Sequence, residues 1–194
     1  MSMSEWIESY FGITNQRLLE AGVETLYMVG FGLLFGTILA IPIAVMLVLF
    51  RPDGVLPNKV GYQIVNAVVN IVRSLPFIIL MVVIMPLTKQ IVGTRIGTTA
   101  ALVPLTLYIG PFIARLFESS LLDVPRGIIE AAQSMGASTW QIIRYFLLPE
   151  AFPSIILAIT TGAVTLVSAT AMAGYIGGGG VGDIALTYGY QAFN

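Results

Sequence analysis

ESSLLDVPRGIIEAAQSMGASTWQIIRYFLLPEA, residues 118–151, decides how this chain is read. It lies between two uncharged runs, Ile96–Ala114 and Ala151–Gly182. Connections of this length inside a compact domain usually carry function. Ile128, Ile129, Ala132 and Met135 recur at helical spacing, and Ile142, Ile143, Phe146 and Leu147 do so again. Between the two sets, Gly136 can adopt the left-handed conformation that closes a helix. Ser138 followed by Gln141 forms a capping box that opens the next one. The pattern predicts helix, sharp bend, helix: two short amphipathic helices making a rigid knob.

The flanks place this knob between membrane crossings. The 194-residue chain is 57% hydrophobic and 10% charged, whereas soluble domains average about 25% charged. Thr25–Phe50 contains no Lys, Arg, Asp or Glu and as a helix reaches roughly 39 Å, enough for a hydrocarbon core of about 30 Å. Gly30, Gly32, Gly36 and Pro42 within it suit a membrane helix, Gly32 and Gly36 forming a GxxxG pair. Val60–Val72 and Ser74–Thr88 read together as a second span interrupted by Arg73 and Pro76. Ile96–Ala114 is a third, and Ala151–Gly182 a fourth, with Pro153 starting the helix and the glycine cluster ending it. None of these spans contains an acidic residue. The fold class expected is all-α, a polytopic transmembrane helical bundle in a single domain, 1–194.

Residues 1–24 carry Glu5, Glu8, Glu20 and Glu24 against Arg17, the opposite of a signal-peptide n-region, so the first span is retained. Trp6, Tyr10 and Phe11 read as an interfacial anchor. Arg51, Lys59, Arg115, Arg126 and Arg144 fall on one side of the predicted topology, and Arg17, Lys89 and Arg95 on the other. Basic loops stay in the cytoplasm, which predicts an outside N terminus, a cytoplasmic loop at 115–150 and an extracytoplasmic segment at 176–194.

The chain has no histidine and no cysteine, which removes imidazole bases, thiol nucleophiles, disulfides and the common zinc and haem ligand sets. No catalytic or metal residue is assigned. A net charge of −1 gives no basis for nucleic-acid binding. Gly177, Gly179 and Gly182 satisfy G-x-G-x-x-G, but no preceding strand, following helix or acidic partner supports a nucleotide site. A flexible external turn, facing a binding protein or lining the pathway, is the reading here.

Glu130, Ala131 and Ala132, then Gly136, Phe146, Leu148 and Pro149 at their spacing, resemble the EAA motif of ABC importer permeases. Phe146 stands where that pattern often has Ile, an equally bulky apolar residue. The resemblance extends to NIVRSLPFIIL, IVGTRIGTTAALVPLT and IGGGGVGDIALTYGYQAFN, and is closest to the permease subunits of methionine-type uptake transporters. It implies the five-span type I importer fold, with four spans and the coupling loop present. Family members carry a fifth span and a cytoplasmic tail, so the sequence is expected to be truncated relative to them.

The resemblance further implies a multi-pass subunit of the bacterial inner membrane. It would move an amino acid, methionine first, by alternating access. Arg126, Glu130, Ala131, Ala132, Gly136, Ala137, Trp140, Leu148 and Pro149 would couple it to separate ATPase subunits. It implies no cofactor of the chain's own, ATP and magnesium being bound by that partner, and a solute-binding protein or lipoprotein outside. Four or five spans are few for enclosing a solute path, which predicts a homodimer.

Met172, Ser168 and Thr170 are candidates for the path or its gate, Met172 because an unbranched thioether can fill a closed pore, with ordinary helix packing the alternative. Arg73 either lines the path or snorkels to the cytoplasmic headgroups, the second being favoured. Another amino acid or small polar solute, a secondary transporter or channel, and an intramembrane protease are the rival functions. The last two normally need intramembrane carboxylates, repeated broken helices or histidine.

Overall fold

The computed structural model describes residues 12–191, and the Trp6, Tyr10 and Phe11 anchor lies outside them. All regular structure among the described residues is helical: α1 (Asn15–Leu49), α2 (Lys59–Ser74), α3 (Phe77–Val92), α4 (Thr98–Leu122), α5 (Arg126–Ser134), α6 (Thr139–Tyr175) and α7 (Gly180–Ile184). Ile142–Leu147 within α6 winds as a π-helix, as does Ala185–Gln191 after α7. α1, α4 and α6 are long and apolar enough to cross a membrane, and the pair α2 and α3 would make a fourth crossing if counted as one broken span.

That pair is the second span, interrupted at Pro76 as expected, and the interruption is a sharp corner. Its two halves bend by 112°. Pro76 has no N–H to donate and disfavours helical geometry at Leu75, so the helix stops at Ser74 and restarts at Phe77. The third span is also longer than expected, running past Ala114 to Leu122 and taking in Arg115 and Glu118. Glu118 is 3% exposed, so a span helix does hold a carboxylate. Its charge is met by Arg115 one turn away. The second short helix of the predicted knob is likewise no separate element, because it continues through the π-helical turn into the fourth span.

Two compact units make up the chain. In the unit formed by Gly36–Ser74 and Gly110–Gly162, buried Leu47, Ile113, Phe117, Leu121, Ile142 and Leu147 form the interior together with small residues such as Ala44, Ala114 and Ala132. Small side chains let helix backbones approach closely. The loop leaving α1 closes on it through Leu56 N–H to Leu49 O (3.1 Å) and Asn58 N–H to Phe50 O (3.1 Å), and Asn58 Oδ1 then caps α2 by accepting from Gly61 N–H (2.9 Å).

The other unit comprises the described residues up to Phe35, Leu75–Ile109 and those from Ala163. Gly32 lies against Leu105 and Leu166 there, a packing role for half of the GxxxG pair. The glycine-rich turn in this unit is built rather than loose, correcting the flexible-turn expectation. Gly177, Gly179 and Gly180 have φ of +83°, +75° and +82°, a region that costs other residues dearly. Gly97 N–H donates to Gly177 O (3.0 Å), Gly180 N–H to Glu24 Oε2 (2.6 Å) and Val181 N–H to Thr25 Oγ1 (2.9 Å). Arg17 reaches Asp183 at 2.9 Å and Glu24 at 3.8 Å, pinning α7 to the start of α1. A helix does follow the glycines, α7, but it is a helix and not a strand that precedes them.

Gly174 permits this close return. A Cβ there would lie 2.7 Å from the Gly182 carbonyl carbon, a backbone atom that cannot step aside. Gly174→Val is expected to abolish recovery of monodisperse protein. Glu24→Gln, which weakens a charge-assisted bond, should lower stability by about 1–3 kcal/mol in thermal unfolding in detergent.

Candidate functional site: the bent coupling loop

Pro125 precedes α5, where its missing N–H costs nothing, and Ile128 N–H donates back to Pro125 O at 3.0 Å. At the far end the helix reverses around Gly136 (φ +77°). Gly136 N–H donates to Gln133 O (2.9 Å) and Ala137 N–H to Ala132 O (3.0 Å), the paired bonds of a Schellman closure. Ser138 then opens α6 with a complete capping box: Gln141 N–H donates to Ser138 Oγ (3.4 Å) and Ser138 N–H to Gln141 Oε1 (2.8 Å). Consecutive closure and opening motifs leave the bend little freedom.

The predicted coupling residues divide into two groups. Arg126, Glu130, Ala131, Gly136, Trp140 and Pro149 are exposed, and Trp140 at 68% is a large aromatic side chain with no cover in this chain. Ala132 is buried, while Ala137 and Leu148 are half-buried, so these three hold the bend in place. Met135, assigned by spacing to the apolar face, is 71% exposed because it caps α5 beside Gly136 and leaves the helical register. With Trp140 it forms an exposed apolar pair that periodicity alone does not reveal.

Arg126 has a partner that sequence spacing could not supply, Asp53 in the loop after α1. Arg51 Nε also approaches Asp53 Oδ1, at 3.4 Å. A hydrogen bond from its own backbone, then the charges of Arg51 and Arg126, hold the Asp53 carboxyl below the ordinary carboxylate value, outweighing lost hydration. It therefore stays ionised at neutral pH and keeps the pair. A cavity of about 430 Å³ lies beneath α5, lined among others by Arg51, Asp53, Leu121, Glu130 and Gln133.

The path candidates fall as follows. Met172 (49% exposed) and Ser168 lie one turn apart on the exposed face of α6. Thr170 is buried on the opposite side and donates to Val167 O at 2.7 Å. Arg73 ends α2, exposed, with its guanidinium 6.0 Å from the Phe112 ring centroid. Among the described residues no cluster of His, Cys, Asp and Glu could hold a metal ion.

The family model of the binding-protein-dependent transport system inner membrane component matches residues 32–192. A probable D-methionine transport system permease protein of Vibrio cholerae is 53% identical over 188 residues, 97% of this chain and 84% of the relative. The D-methionine transport system permease protein of Escherichia coli K12 is 49% identical over 158 residues, 81% of this chain and 73% of that one. Among solved structures, an inward-facing MetNI methionine ABC transporter chain superposes with a TM-score of 0.90 at 46% identity, covering 94% of this chain and 86% of its own. An amino acid ABC transporter superposes at 0.76 with 18% identity, a likeness of fold. With its bent loop, long apolar helices and these matches, the chain belongs to the family of binding-protein-dependent transport system inner membrane components.

Proposed function

We propose that the chain is the membrane-spanning permease subunit of an ATP-binding-cassette importer that carries methionine into the cytoplasm. The observation that carries this reading is the doubly capped bend at Ser134–Gln141, set in a chain about half identical to methionine permeases. The exposed side of α5, Gly136 and Trp140 docks on an ATPase subunit. Ala132, Ala137 and Leu148 keep that surface at a fixed angle to α6. Thr139–Tyr175, counted as one helix, carries both the knob end and the segment bearing Ser168 and Met172.

Hydrolysis, with its ATP and magnesium, resides on the partner. The excess of basic residues in the 51–59 and 115–144 segments supports a cytoplasmic coupling loop and an outside N terminus. Two copies of the chain wall the path between them, a pair of ATPases sits below, and a solute-binding protein or lipoprotein delivers the amino acid from outside. Met172 and Ser168, sharing an exposed face, are the path-facing candidates. Thr170 shapes the helix through its bond to Val167 O.

A Gly136→Val substitution meets no neighbour within 4 Å of its new Cβ, so its cost is confined to a left-handed conformation unfavourable by about 1–2 kcal/mol. The variant is expected to insert and fold with near-normal yield but to lose at least about 90% of uptake, since docking depends on angle. Normal uptake by this variant would remove the docking role. In whole cells, methionine accumulation should stop on ATP depletion and continue with an uncoupler of the proton gradient, and the reverse pattern would favour a secondary transporter. A Met172→Ala variant should alter basal or stimulated transport, and unchanged rates of both would count against its place at the gate.

A further inference from the structure

Among the described residues Glu118 is the buried charged side chain, 3% exposed. Its Oε2 accepts from Arg115 Nη1 at 2.5 Å. The other edge of the guanidinium points across to α2, where Nη2 donates to Asn66 Oδ1 at 2.6 Å and to Asn70 Oδ1 at 2.9 Å. One turn further along, Arg73 of α2 sets its guanidinium 6.0 Å from the centre of the Phe112 ring. Asn66, Asn70 and Arg73 share one face of α2 by their spacing of four and three, and Phe112 and Arg115 share one face of α4. A polar seam thus ties α2 to the part of α4 from Gly110 onward, within one compact unit, at successive turns.

The placement of this seam gives it a role beyond packing. α4 ends at Leu122 and α5 begins at Arg126, so α4 feeds the coupling loop directly. α2 runs instead into the Leu75–Pro76 break. A planar guanidinium can hold a carboxylate on one edge and amide oxygens on the other, whereas a lysine ammonium lacks that fixed fork. The Arg115 side chain is 25% exposed against 4% for that of Glu118, and such partly buried ion pairs fix geometry in some proteins more than they add net stability. On the reading that α5 is moved by an ATPase, we propose that Arg115, aimed by Glu118, is a positioning residue that locks α2 to α4, so that motion of the coupling loop reaches the broken helix.

The test uses the permease assembled with its ATPase subunit in proteoliposomes, with methionine uptake and ATP hydrolysis measured on the same preparation. Asn66→Ala/Asn70→Ala removes the acceptors on α2 and leaves the Arg115–Glu118 pair intact, so the bundle is retained. Expected are hydrolysis within about twofold of wild type and at least about a fivefold fall in methionine moved per ATP, a size typical of lost coupling between sites. Asn70→Asp, which keeps an acceptor, should hold the wild-type ratio, and Arg115→Lys should mimic the double variant. A wild-type ratio in the double variant, with only a lower unfolding temperature, would show the seam to be structural and overturn the proposal. Should the double variant not assemble, the ratio in Arg115→Lys decides in the same sense. Wild-type protein that neither binds an ATPase nor moves methionine with ATP would instead bring down the coupling reading beneath it.

Discussion

The chain must reverse direction without leaving backbone groups unpaired, and at Ser134–Gln141 it does so by placing a helix closure directly against a helix start. Each helix end presents N–H or C=O groups without intrahelical partners. At this exposed bend water could pair them, but partners within the chain also fix the direction in which it turns. Gly136 and Ala137 return their N–H groups to Gln133 and Ala132, and Ser138 exchanges bonds with Gln141. The angle between α5 and the start of α6 is thereby set by backbone and capping hydrogen bonds, together with the burial of Ala132 and the half-burial of Ala137 and Leu148.

The same demand for paired polar groups governs the remainder of the described chain. No buried side-chain nitrogen or oxygen there lacks a partner. Hydroxyls inside helices turn back on carbonyls of the preceding turn, as Thr88 does to Ile84 O (3.1 Å) and Ser120 to Leu116 O (3.0 Å). The glycine-rich turn after α6 follows the same logic over a longer distance. Its amides bond to Glu24 and Thr25 of α1, so a segment rich in glycine is fixed by partners far away in sequence.

Features legible in the sequence are those whose determinants are local. Gly136, Ser138 and Gln141 lie within six residues and announced the bend, and uninterrupted apolar runs announced α1, α4 and α6. Readings that failed depended on distant partners or on treating a charge as a boundary. Arg115 reads in sequence as the end of the third span, but one turn later Glu118 neutralises it and the helix continues. The apparent second span masked a 112° bend, because an apolar run on either side of Pro76 looks the same whether the break is a kink or a corner. Asp53 with Arg126, and Asn66 and Asn70 with Arg115, join residues 45 to 73 positions apart. The four-residue spacing of Asn66 and Asn70 was the one visible sign of the latter, since two amides on one face of a largely apolar helix need a polar neighbour.

That neighbour also bears on how transport is driven. A carboxylate used for ion coupling must exchange its partner during the cycle, binding and releasing a proton or cation. Glu118 is instead closed off by a guanidinium at 2.5 Å on its own helix, and that guanidinium is in turn engaged by two amide oxygens of α2. Releasing the carboxylate would leave Glu118, 3% exposed, as a buried charge without its cation, which is strongly disfavoured. An arrangement so costly to open suits a structural joint better than a binding site for a driving ion. This agrees with the function proposed above, in which the energy for moving solute enters from a partner through the exposed surface of α5 and Trp140.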